Sequence, residues 1–200
     1  MLTRLKKRVQ SLLTVEAELL HGAGLTPNQV SGLGILLAFL AGCFYWAWQY
    51  NRLFLVIAPI LFLLSGFCDA LDGIIARLHR EATVFGGFLD SLLDRYADAF
   101  ILIALTASGL CDMFWGAVAL TGSLLVSYAR ARAEAAGVKM ETVGLAERAE
   151  RMVILAAASF VAFFWLEALA WSVVLLAVLT NLTALQRTIH FYKVSRQKER

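Results

Sequence analysis

Six stretches of the chain are predominantly apolar, and most of the remaining polar residues gather at the joints between them. They run over about 29–49, 53–78, 85–108, 113–131, 145–165 and 167–188. A helix that crosses a bilayer needs about 20 mostly apolar residues, so each stretch predicts a transmembrane helix. Ahead of them, Leu2, Leu5, Val9, Leu12, Leu13 and Leu19 fall near one helical face with basic residues between. That pattern predicts an amphipathic helix lying in the membrane interface. Gly22 and Gly24 end it, and Thr26-Pro27-Asn28 opens the next element. The expected fold is all-α and integral to the membrane, with six transmembrane helices plus an N-terminal interfacial amphipathic helix. Residues 1–24 form the interfacial part and residues 25–200 the six-span domain. The absence of strict apolar alternation argues against a β-barrel.

Composition supports a bilayer as the solvent. The chain is 60% hydrophobic with a mean hydropathy of +0.71, against about 45–50% apolar for a soluble domain. Its net charge of +3 matters less than where the charge lies. Arg4, Lys6, Lys7 and Arg8 open the chain, and Lys193, Arg196, Lys198 and Arg200 close it. Such tails anchor to anionic headgroups, and nucleic acid is not an expected partner. Six spans put both termini on one side, and nearly all basic residues outside the spans share that side. The positive-inside rule makes it cytoplasmic, so the expected location is the cell membrane, multi-pass, with the joints near 80 and 140 facing the cytoplasm. Cys43, Cys68 and Cys111 are scattered within apolar runs, which suits packing rather than zinc or disulfides. No cleavable leader is expected, because the first apolar run long enough for one begins after residue 28.

Four acids break the apolar pattern. A charge inside a span costs about 2.5–3.5 kcal/mol on insertion scales. Asp69 and Asp72 are spaced i, i+3, and Asp90 and Asp94 are spaced i, i+4, so each pair shares a helix face. The short joint near 79–84 predicts that the two helices are antiparallel neighbours with their acids at similar depth. Four facing carboxylates repel strongly unless protons or cations intervene. Hard oxygen ligands suit magnesium, manganese or calcium rather than zinc. Gly73, Gly86 and Gly87 would let a diphosphate approach closely. Asp98 continues the series one turn on, where a hydrogen bond to a neighbouring helix is the expected role. A cation transporter is the alternative from another class, but its acids should spread across membrane depth.

The stretch resembles the signature of the CDP-alcohol phosphatidyltransferase family. Its pattern is Asp, two residues, Asp-Gly, two residues, Ala-Arg, eight residues, Gly, three residues, Asp, three residues, Asp. Here it reads Asp69, Asp72-Gly73, Ala76-Arg77, Gly86, Asp90 and Asp94, with every fixed position matched. The resemblance implies an enzyme in which Asp69, Asp72, Asp90 and Asp94 hold Mg2+ or Mn2+, as a pair of ions, on the diphosphate of a CDP-linked lipid. It implies Asp94 as general base toward the acceptor hydroxyl, with CMP leaving. It assigns Asn28, Gly73, Arg77 and Gly86 to the CDP-lipid, and it implies a homodimer.

A second basic cluster bears on the acceptor. Ser127, Arg130 and Arg132 close the fourth span, Arg148 and Arg151 open the fifth, and Arg187 ends the sixth. Arginine forks match phosphate oxygens, so a phosphorylated acceptor is favoured over a neutral one. The strings at 127–134 and 144–151 resemble those of the phosphatidylinositol-phosphate and archaetidylinositol-phosphate synthases. That resemblance implies inositol 1-phosphate as acceptor, its phosphate cradled by Ser127, Arg130, Arg148 and Arg187. Ala149 leans toward the archaeal branch. Glycerol 3-phosphate as acceptor, or CDP-inositol as donor, are the alternatives within the same chemistry.

Overall fold

The computed structural model describes residues 13–140 and 143–198, so Leu2, Leu5, Val9 and Leu12 of the expected amphipathic helix lie outside the described residues. Within them, residues 13–22 are helical (α1). Leu13, Ala17 and Leu20 pack on Val30, Cys68, Leu71 and Ile75, while Val15 and Leu19 are exposed.

The six predicted helices are all present. They are α2 (Pro27–Trp46), α3 (Phe54–Leu78), α4 (Val84–Ala107), α5 (Met113–Ala135), α6 (Arg148–Ala162) and α7 (Glu167–Lys198). Local chemistry sets several starts. Thr26 and Gln29 form a capping box ahead of α2, with Pro27 in its first turn. Thr83 caps α4 by accepting from Gly86 N at 2.9 Å, and Asp112 caps α5 by accepting from Phe114 N at 2.9 Å.

The helices close into a ring. α2 packs on α3, α3 on α6, α6 on α7, α7 on α5, α5 on α4, and α4 back on α2. This corrects one expectation: α3 and α4 are not direct packing neighbours, because α2 lies between them. Small residues on α2 make that close approach possible. A Cβ on Gly34 would stand 3.3 Å from Cys68 Cβ of α3, and one on Gly42 would stand 3.6 Å from Ala104 Cβ of α4. The acids of α3 and α4 therefore look toward each other across the ring, leaving space between them.

Among the described residues, three helices are long and apolar enough to cross a membrane by length and composition: Pro27–Trp46, Phe54–Leu78 and Glu167–Gln197. The other three fall short of that measure. α4 carries Asp90, Asp94, Arg95 and Asp98, and α5 ends in Arg130 and Arg132. α6 has 15 residues, about 22 Å of helix at 1.5 Å per residue, and is shorter than the expected 145–165. Residues 143–147 leave the helix and hook onto α7, where Thr183 Oγ1 accepts from Leu145 N and Ala146 N, both at 3.1 Å. Gly144 allows the bend, with φ at 133°.

The outer faces are strongly apolar. Leu63, Leu64 and Phe67 of α3 and Leu175, Val178 and Leu182 of α7 are exposed, as lipid contact requires and water does not permit. The chain is a membrane protein. Inside the ring, the phenol of Tyr45 and the hydroxyl of Ser159 meet at 2.6 Å, both fully buried, which satisfies two polar groups that would otherwise be costly there. Cys43 is exposed, Cys68 and Cys111 are buried, and all three are free thiols.

Candidate active site

Helix periodicity turns Asp69 and Asp72 of α3 and Asp90 of α4 toward one point. One carboxylate oxygen from each lies within 4.8 Å of the others. Ser31 of α2 donates to Asp72 Oδ2, so the helix between the two acid-bearing helices also orients one of their carboxylates. Three anionic oxygens at this spacing, with Asp72 buried, form a donor set suited to a hard divalent cation.

Asp94 belongs to the same crevice but is engaged differently. Its Oδ1 lies 2.6 Å from Arg148 Nη1, and its Oδ2 lies 3.5 Å from Arg95 Nη1. The same Arg148 nitrogen is 2.8 Å from Asp69 Oδ2. One turn on, Asp98 makes the expected cross-helix contact: its Oδ2 accepts from Arg151 Nη2 at 2.5 Å, and Arg148 Nε stands 3.5 Å from its Oδ1. Three of the four motif acids thus converge, and Arg148 of α6 bridges one of them, Asp69, to the fourth, Asp94.

Two cavities flank the acids. One, of ≈210 Å³, is bordered by Asn28, Asp72, Gly73, Arg77, Gly86 and Asp90. All four residues expected to meet the CDP-lipid are there. A Cβ on Gly86 would stand 3.3 Å from Asn28 Oδ1, and one on Gly73 would stand 3.2 Å from Arg77 Nη1. Both glycines therefore keep this cavity open. The other cavity, of ≈280 Å³, is bordered by Asp69, Asp94, Ser127, Arg130, Arg148 and Arg187, with Arg95 and Arg151. The acids form the wall between the two.

A family pattern matches residues 24–183, with the description CDP-alcohol phosphatidyltransferase. The chain belongs to the CDP-alcohol phosphatidyltransferase family. It is 37% identical over 187 residues to the archaetidylinositol phosphate synthase of Pyrococcus horikoshii, covering 94% of each chain. It is 42% identical over 161 residues to the enzyme of that name from Methanothermobacter thermautotrophicus, covering 79% of this chain and 80% of that one. Among solved structures, it resembles the phosphatidylinositol phosphate synthase of Mycobacterium tuberculosis with CDP-DAG bound. The TM-score is 0.78 at 29% identity, covering 91% of this chain and 94% of that one. The same enzyme in complex with manganese and citrate also gives 0.78 at 29% identity, over 90% and 88% of the two chains. This chain is accordingly a transferase of the membrane phospholipid-synthesis class.

The arginines of this phosphatidyltransferase differ in how free they are. Arg187 is 2% exposed; its Nε donates to Val143 O at 2.8 Å and its Nη1 to Val126 O at 2.7 Å. It fastens α5 and the 143–147 hook to α7 while lining the basic cavity. Arg130 pairs with Glu134 at 2.9 Å on an exposed face. Ser127 Oγ donates to Ser123 O at 3.3 Å. Ser31 was not singled out from sequence, since a serine in an apolar helix carries no chemical signal by itself. Arg151 stood beside Arg148 in the basic string, but its partner Asp98 is on another helix.

Proposed function

We propose that the chain makes a phosphoinositide phosphate lipid and CMP from CDP-archaeol or CDP-diacylglycerol and inositol 1-phosphate. The observation that carries this reading is the acid wall between a glycine-floored cavity and an arginine-lined one. The first holds the motif positions that suit a CDP diphosphate, and the second offers donors for an acceptor phosphate. The archaeal relatives named above favour the inositol phosphate acceptor.

Asp69, Asp72 and Asp90, with Asp94 at the edge, would hold Mg2+ or Mn2+, two ions in the full complement. Such ions neutralise a diphosphate and stabilise the departing CMP. Asn28, Gly73, Arg77 and Gly86 bind the donor. Ser127, Arg130, Arg148 and Arg187 receive the acceptor phosphate. The acceptor hydroxyl oxygen then bonds to the β-phosphorus as that phosphorus loses its bond to the bridging oxygen. The bridging oxygen keeps the electron pair and leaves as part of CMP. Asp94 takes the proton from the hydroxyl. Before the acceptor binds, Arg148 stands 2.6 Å from Asp94.

All six long helices cross the membrane in this proposal. α4 and α5 have the length, and their charges face the ring interior and its basic end. The active site opens to the cytoplasmic face, the side the positive-inside rule assigns to the basic joints. Residues 1–24 act as an interfacial anchor to the catalytic domain of residues 25–200. Family resemblance alone supports a homodimer.

The test incubates purified protein and Mg2+ with each CDP-lipid and labelled inositol 1-phosphate or glycerol 3-phosphate. Labelled lipid should form from inositol 1-phosphate. Product from glycerol 3-phosphate alone would reject the acceptor. Asp94→Asn should slow CMP release by about 10²–10⁴-fold, the usual contribution of a general base.

A further inference from the structure

Arg148 occupies an unusual position among the arginines of the basic cavity. Arg151 is tied to Asp98 and to Ala146 O, the latter at 3.0 Å. Arg187 is tied to two backbone carbonyls. Arg130 is paired with Glu134 at the exposed rim. Arg95 reaches Asp94 at 3.5 Å, but only Arg148 among the arginines of this cavity bridges two motif acids, one nitrogen serving two helices: Nη1 meets Asp69 of α3 at 2.8 Å and Asp94 of α4 at 2.6 Å. Its side chain is 16% exposed, and it lines both the acidic crevice and the basic cavity. Its Nε is buried without a hydrogen bond, with Asp98 3.5 Å away. That unused donor gives the guanidinium a reason to take a partner in the cavity.

A guanidinium at this point and a divalent cation on Asp69 and Asp94 exclude each other. They compete for the same two carboxylates, and two positive charges about 3–4 Å apart repel. An anionic phosphate in the cavity offers the guanidinium a bidentate alternative. We propose that Arg148 is a charge latch: it neutralises Asp69 and Asp94 until an acceptor phosphate draws it into the basic cavity, which frees those carboxylates for a cation. Acceptor phosphate and divalent cation then bind cooperatively, and by linkage each tightens the other equally. The latch rests on the reading that the acids hold metal and the basic cavity holds phosphate. It adds an order to the site: the carboxylates reach full cation occupancy only when an acceptor is present. This would limit futile hydrolysis of the CDP-lipid by water.

The latch is tested by Mn2+ binding, read from the free-ion electron paramagnetic resonance signal of the full chain in detergent. Sulfate serves as the phosphate-like dianion, with chloride at matched ionic strength as the control. Sulfate should tighten Mn2+ binding by about five-fold or more, the lower end of ordinary coupling between sites. Arg148→Ala should bind Mn2+ about as tightly without sulfate as the native chain does with it, and sulfate should add nothing further. Native protein that binds Mn2+ equally in sulfate and chloride overturns the latch, whether or not the variant folds. A sulfate effect that persists in Arg148→Ala overturns it too, since the anion would then be acting on the ion directly. If the native chain takes up no Mn2+, or Asp90→Asn leaves uptake unchanged, the metal reading itself falls and the latch with it. If Asp90→Asn abolishes uptake while sulfate and Arg148→Ala change nothing, only the latch is lost.

Discussion

Replacing Asp98 by Asn removes a charge from the most enclosed ion pair in the described structure. The side chains of Arg151 and Asp98 are 7% and 11% exposed and meet at 2.5 Å. A hydrogen bond to a charged group contributes about 1.5–3 kcal/mol, and full removal of one partner from a buried pair costs about 3–5 kcal/mol. Asparagine keeps one acceptor oxygen, Arg151 keeps its bond to Ala146 O, and the adjoining ≈280 Å³ cavity can admit water. These lower the cost to about 2 kcal/mol, within the range for losing one charge-assisted bond. For a chain of this size, that corresponds to a melting shift of roughly 4–8 °C. A thiol-reactive dye that reports exposure of the buried Cys68 and Cys111 can read the shift in detergent. Glu134→Gln is the control. It breaks an i, i+4 pair whose side chains are 43% and 44% exposed, worth about 0–1 kcal/mol. If Asp98→Asn melts no earlier than Glu134→Gln, burial is not what gives the Asp98–Arg151 pair its strength, and the reasoning fails.

Gly86→Val places branched carbon where a Cβ already stands 3.0 Å from Thr83 Oγ1 and 3.3 Å from Asn28 Oδ1. The KM for CDP-lipid should rise about ten-fold or more, and an unchanged KM would remove that cavity from donor binding. Thr183→Val deprives Leu145 N and Ala146 N of their shared acceptor. With buried donors costing about 1–3 kcal/mol each when orphaned, the melt should fall and the acceptor KM rise together, because the hook leads directly into Arg148; a fall in the melt without a change in KM would detach the hook from the site. Chelation with EDTA should abolish CMP release, and Mg2+ or Mn2+ should restore it; turnover that survives chelation would refute the cation role of Asp69, Asp72 and Asp90.

What the sequence determined by itself is what helical periodicity and composition dictate. The i, i+3 and i, i+4 spacings put the acids on shared faces of α3 and α4 whatever the fold, because 3.6 residues per turn is a local property. Six apolar runs appeared as six helices for the same reason, with ends within a few residues where Thr26, Thr83 and Asp112 supply caps. The eight-position motif carried the family. The placement of α2 between α3 and α4, the closed ring, and the hook that shortens α6 were decided by tertiary structure, because they depend on which surfaces pack closest. Arg148 shows the difference most plainly. From sequence it belonged with a basic cluster that suits phosphate, and only the packing of α6 on α3 brings it to Asp69 and Asp94. Charges on separate helices have no sequence period that links them, so their pairing exists only once the ring has closed.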